Sequence, residues 1–119
     1  MAYPRKPRAA AFSPRESSVM KAVEQWLELR QMKPLRMNSG AAQIAPGRFV
    51  RFGIPGMSDL YTIGPAGISI WIECKRPAGG KLSEAQRGFL DWVNGKGGVG
   101  IVVNSIESLE RQLKEAGVI

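Results

Sequence analysis

Histidine is absent from this sequence, cysteine occurs once (Cys74), and no apolar run approaches the length of a membrane span. Without histidine there is no imidazole acid–base chemistry and no His-ligated zinc. With a single cysteine there is no internal disulfide framework and no Cys-rich zinc cage. A spanning helix needs about 20 consecutive apolar residues, and the basic N-terminus has no apolar segment behind it, so neither a membrane partner nor a secretory signal is expected. A soluble, cytosolic protein is the default. Acid is also scarce where the chain begins. Residues 1–53 hold ten Lys/Arg and three Asp/Glu, a surplus of seven, whereas residues 54–119 hold seven of each. The net charge of +7 and pI near 10.1 favour a polyanionic partner. What is present, 119 residues with 44% hydrophobic composition, suffices for one domain around a single core.

Residues 1–12 mix Pro with Arg and Lys without hydrophobic period, and read as a flexible basic arm ahead of a globular domain over 13–119. Ser13-Pro14-Arg15-Glu16 has the form of a helix start, with Ser as cap, Pro at the first helical position and Glu three residues after the cap. That helix is predicted to run to about Gln31, with Val19, Met20, Val23, Trp26 and Leu27 on one arc. Short strands are predicted around Leu35–Met37 and Arg48–Phe52, separated by Asn38-Ser39-Gly40. Strands near 58–63 and 68–75 form a hairpin about Gly64-Pro65-Ala66-Gly67. Ser83-Glu84-Ala85-Gln86 repeats the capping pattern and opens a helix to about Asn94. Val99–Val103 reads as a buried strand, and a last helix runs from Ser105 or Ile106 to about Ala116, with Gly117 beyond its end. Trp26, Phe89 and Trp92 are assigned to the core.

Within the predicted hairpin, Glu73 and Lys75 stand two residues apart, the side-chain repeat of a strand, and so share a face. Folding about the turn sets Asp59 opposite Ile72 or Glu73. The strand alternates Ile68, Ile70, Ile72 and Cys74 on one face with Ser69, Trp71, Glu73 and Lys75 on the other. Trp71 suggests that this second face is covered too, and charges at the end of a covered strand require partners. Spacing alone leaves two readings open: a metal site, or solvated charges on a half-exposed sheet. Glu16 is either a cap partner for Ser13 or an inward carboxylate, because it sits within the apolar arc of its helix. Gln86 is likewise either a cap or an inward amide among Phe89, Leu90 and Val93.

Taken together, Glu16, Asn38-Ser39-Gly40, Gly56-Met57-Ser58-Asp59-Leu60, Ile72-Glu73-Cys74-Lys75-Arg76-Pro77, Gly80-Lys81-Leu82-Ser83-Glu84-Ala85-Gln86 and the strand Gly98–Asn104 resemble the PD-(D/E)xK nuclease superfamily. Within it they resemble the virus-type replication-repair nuclease (VRR-NUC) domain, over about residues 13–108. Ser58 departs from the superfamily label, which has proline there. The resemblance implies an α/β fold with a restriction-endonuclease-like core, a mixed sheet of about four strands flanked by helices in the order α-β-β-β-α-β-α. It implies Mg²⁺-dependent cleavage of DNA phosphodiesters, with Mn²⁺ able to substitute, on branched or junction DNA, by a homodimer in a bacterial or phage-infected cell. No organic cofactor is implied.

On that resemblance Asp59 and Glu73 are the metal carboxylates, in keeping with the preference of Mg²⁺ for one or two carboxylates plus water and phosphate, and the backbone carbonyl of Cys74 is a third ligand. Lys75 activates the attacking water and stabilises charge on the phosphate. Glu16 binds a second metal or holds one of its waters, and Gln86 positions Lys75 or the water. Arg36, Arg48, Arg51, Arg76, Lys81 and Arg87 are the expected phosphate contacts. A noncatalytic DNA-binding module with the same fold, and an RNA nuclease, are the alternatives.

Overall fold

The computed structural model describes residues 15–37 and 40–119, and for residues 40–42, 51 and 52 the backbone only. The basic arm, the Ser13-Pro14 helix start and Asn38-Ser39 lie outside the described residues.

The first helix, α1 (Glu16–Leu29), buries Val19, Val23, Trp26 and Leu27, the four-residue and seven-residue steps of one helical stripe. Its cap position falls on Arg15, whose carbonyl accepts from the Ser18 and Val19 N–H groups at 3.0 Å. Glu16 therefore opens the first turn instead of sitting third in it. The helix stops at Leu29 because Gln31 turns left-handed (φ 62), a conformation that helical hydrogen bonding cannot continue.

Six strands follow the order β1 (Leu35–Arg36), β2 (Gly40–Ala45), β3 (Arg48–Phe52), β4 (Leu60–Ile63), β5 (Ser69–Cys74) and β6 (Val99–Val103). A short 3₁₀ turn at Pro65–Gly67 joins β4 to β5. Helix α2 (Glu84–Gly95) joins β5 to β6, and α3 (Ile106–Glu115) closes the chain. The protein is a mixed α/β fold whose four-stranded sheet has the order β1-β4-β5-β6. The first three of these strands are antiparallel neighbours, and β5 and β6 are parallel. Parallel neighbours need a long crossover, which α2 supplies. Strands β2 and β3 form a separate two-stranded sheet, whereas the sequence predicts one short strand in each half of residues 35–53. A bulge between Gln43 and Ala45 interrupts their pairing.

The expected alternation of β5 is present. Leu60, Ile70, Ile72, Cys74, Val99, Ile101 and Val103 face one side of the sheet, against Val23 and Leu27 of α1 and Leu109 and Leu113 of α3. Each fully buried Leu or Ile contributes roughly 2–3 kcal/mol by area removed from water, so this face holds the domain together. The opposite face carries Tyr61 and Trp71, whose ring centroids are 4.5 Å apart, and Phe89 of α2 meets Trp71 edge-on at 5.1 Å. The sheet is thus covered on both faces. Trp26 is buried as expected, its indole N–H donating to Glu110 at 2.9 Å. Trp92 is not core: it is 59% exposed, at the margin of the α2 stripe that buries Leu90 and Val93, and only leans on Phe89. No helix among the described residues is long and apolar enough to cross a membrane.

Candidate functional site

The start of β4, the end of β5 and the first turn of α2 meet at one end of the sheet. The β4–β5 register pairs Leu60 with Ile72 and Tyr61 with Trp71. One step beyond the ladder, Asp59 comes beside Glu73, the second of the two placements that hairpin geometry allowed. Asp59 is half-buried, and its Oδ2 accepts from the Cys74 backbone N–H at 2.8 Å. Its own carbonyl accepts from the Met37 N–H at 2.8 Å, which extends the β1–β4 pairing. The preceding loop is held by Gly56, which has φ +83 and lies so close to α2 that a Cβ there would be 2.3 Å from the Ala85 carbonyl oxygen. This contact fixes the Asp59 loop against the turn that carries Gln86.

Glu73 is 2% exposed. Its Oε2 accepts from Gln86 Nε2 at 2.9 Å and faces Lys75 Nζ at 3.4 Å. Its Oε1 is buried without a hydrogen-bond partner. Burial, reinforced by the charge of Asp59, raises the Glu73 carboxyl to about 7; Lys75 opposes the rise and Glu16 adds to it. Gln86 fills both of the roles open to it. The Ser83 N–H donates to Gln86 Oε1 at 2.9 Å, and the Gln86 N–H donates to Ser83 Oγ at 3.1 Å. That capping box fixes which end of the amide is oxygen, so Nε2 is left pointing at Glu73. Lys75 is mostly covered, its side chain 13% exposed.

The carboxylate pair fits a divalent cation. A buried carboxylate with one oxygen unpartnered and its proton affinity raised by a second carboxylate is stabilised by any cation that meets both. Among the described residues no three His, Cys, Asp or Glu side chains form a metal-holding group. Two carboxylates completed by water, main-chain and substrate oxygens suit Mg²⁺ better than the metals that demand an all-protein cage. The Cys74 side chain takes no part. It is buried in the core, and burial, with Asp59 and Glu73 next, pushes the thiol far up, which keeps it neutral and unreactive.

Other predicted residues are distributed differently. Glu16 is exposed, not inward: the first buried residue of α1 is Val19, so the turn carrying Glu16 overhangs the packed part of the helix. Its field still reaches Glu73 and Cys74. Arg36 is committed to Glu24 through two hydrogen bonds of 2.8 and 3.0 Å, a forked pair across α1 and β1 that no local pattern announces. Arg76, Lys81 and Arg87 are exposed along the stretch from β5 into α2, and Arg48 is exposed on the β2–β3 hairpin. The side chain of Arg51 lies outside the described residues.

Sequence reasoning missed the far wall of the cleft beside Lys75. Asn104, Ser108, Arg111 and Gln112 line it, together with Arg76, which the sequence had already named. Parallel pairing of Cys74 with Val103 makes Asn104 the neighbour of Lys75, a register that no local pattern in the sequence announces. A second hollow, bounded by Trp71, Trp92 and Lys96, lies at the other end of α2. Comparison with family models, with curated proteins and with solved structures returned no match to this chain.

Proposed function

We propose that this chain is a metal-dependent phosphodiesterase acting on DNA, an endonuclease of the PD-(D/E)xK kind resembling the VRR-NUC domain. The observation that carries this reading is Glu73: a carboxylate buried at 2% exposure, one oxygen unpartnered, with Asp59 beside it and Lys75 at 3.4 Å. A structural ion pair has no need of a second carboxylate placed beside a buried first one.

In this mechanism Asp59 and Glu73 would hold Mg²⁺, with the Cys74 carbonyl as third oxygen. The cation would supply Lewis acidity toward a phosphate oxygen. Gln86 holds the Glu73 carboxylate in one orientation through Nε2, with its own amide locked by Ser83. Lys75 presents Nζ to the attacking water and to the non-bridging phosphate oxygens, where charge builds up. Water adds to phosphorus and gives up a proton to solvent, the bond to the leaving sugar oxygen breaks, and that oxygen takes a proton from solvent. Arg76, Lys81 and Arg87 offer phosphate contacts on the approach. Glu16, exposed and within electrostatic range, is a candidate holder of a second cation or its water. Preference for branched DNA and a homodimeric state belong to the same proposal.

Labelled four-way junction, flap and linear duplex DNA incubated with Mg²⁺ or Mn²⁺ test it. Wild type is expected to cut, and Lys75→Ala to lose at least about 100-fold in rate, the scale for removing a group that moves protons or stabilises charge. Equal cleavage by the two proteins would reject this mechanism. Salt-sensitive binding with no metal-dependent turnover would assign the chain to the noncatalytic module instead.

A further inference from the structure

Between Glu28 and Asp59 there is no Asp or Glu, while five Lys/Arg fall there: Arg30, Lys33, Arg36, Arg48 and Arg51. Arg30 and Arg36 are engaged with Glu110 and Glu24. Arg48 is exposed on the β2–β3 hairpin, a sheet of its own that packs extensively on no other helix or strand among the described residues. The same hairpin exposes Ile44 by 60%, Phe49 by 68% and Val50 by 42%. An isolated two-stranded hairpin is marginal in water, so this combination of detachment and exposed apolar area calls for an occupant.

We propose that the β2–β3 hairpin is a ribbon that enters the major groove of duplex DNA, a contact separate from the carboxylate site. Charge chooses the class of partner: an acid-free basic ribbon complements a polyanion. The choice of a nucleic acid rests on the function proposed above. Shape chooses the groove over a flat protein surface. Phe49 and Val50 are successive strand residues and point to opposite faces, yet both are exposed. A second copy of this sheet would cover one face and leave the other in water. A groove closes on both. The major groove, about 12 Å wide, admits a two-stranded ribbon. Strands of five and six residues reach roughly 17–20 Å, or about five base pairs along the duplex axis. Arg48 meets phosphate, and the apolar side chains meet base edges and thymine methyls.

Fluorescence anisotropy of a labelled 25-base-pair duplex in EDTA, across a salt series, measures this contact without cleavage. Arg48→Ala is expected to weaken binding about 5–10-fold and to lower the slope of log K against log salt by about one. Phe49→Ala is expected to weaken it several-fold at unchanged slope. Both variants are expected to melt like wild type, because Arg48 and Phe49 are both exposed. Wild-type duplex affinity and salt slope in both variants would overturn the proposal. So would a Phe49→Ala protein that sediments as a monomer where wild type is a dimer while binding DNA equally well, which would make the occupant a second copy. Turnover of bis(p-nitrophenyl) phosphate with Mn²⁺ separates the two readings. Its absence in wild type would count against the nuclease site alone, and its retention in Phe49→Ala alongside lost duplex affinity would support the ribbon.

Discussion

At Glu73 the two carboxylate oxygens have different fates, one held by Gln86 and Lys75 and the other buried without a partner. That asymmetry has a pH signature. The unfolded chain releases the Glu73 proton near 4.5 and the folded protein holds it to about 7. Below the lower value both states are protonated and the group contributes no slope. Between the two the folded state binds more protons, so stability falls as pH rises, by about 3 kcal/mol at most over the interval. In divalent-free buffer, chemical denaturation midpoints of wild type are expected to fall from pH 4.5 to 7 relative to Glu73→Gln, which has no proton to lose. Mg²⁺ is expected to restore wild type most at the high end, where the ionised carboxylate is the ligand. Parallel profiles for the two proteins would mean that Glu73 carries no such burden. The role of Glu73 as a candidate was legible in the sequence, from its two-residue spacing to Lys75. Its unpartnered oxygen was not, because that depends on what α2 places above it.

Among the elements, the first turn of α2 does most to shape the site. Ser83 caps it, Gln86 extends from it to Glu73, and Ala85 receives the loop that carries Asp59. Two glycines near this helix are expected to respond in opposite directions. Gly56→Ala requires a side chain at φ +83 and 2.3 Å from the Ala85 carbonyl oxygen, and should cost about 2–3 kcal/mol. It should also reduce cleavage at temperatures where the variant is still folded, by moving Asp59. Gly88→Ala lies in the same helix with nothing within 4 Å of the added Cβ, and should stabilise by about 0.5–1 kcal/mol. Urea denaturation of both reads the signs. A Gly56→Ala protein as stable as wild type would remove the argument that this loop is pinned on α2.

For the whole molecule, the sheet buried on both faces and the hairpin outside it divide the chain into regions of unequal stability. Amides of β4, β5 and β6 lie within the core and are expected to exchange only on global unfolding. Those of β2 and β3 should exchange by local opening at much lower free energy. Native-state hydrogen exchange resolved by residue tests this, and equal protection of β3 and β5 would contradict it. On the function proposed above, the carboxylates would be held rigid for chemistry and the hairpin would remain adaptable for contact with DNA.

By itself the sequence determined what short-range physics controls. The Ser83–Gln86 box, the Ser105 helix start and the period-two alternation of β5 depend on residues a few positions apart and are present as read. The β4–β5 turn left two registers open, and the structure holds the one that pairs Leu60 with Ile72. The tertiary structure decided what depends on how elements lie against one another. It committed Arg36 to Glu24, left Trp92 in solvent, exposed Glu16 beyond the packed stripe of α1, and brought Asn104 beside Lys75. It also gave Gln86 both of its tasks: the cap consumes one end of the amide, and only the packing of α2 over β5 determines what the other end meets.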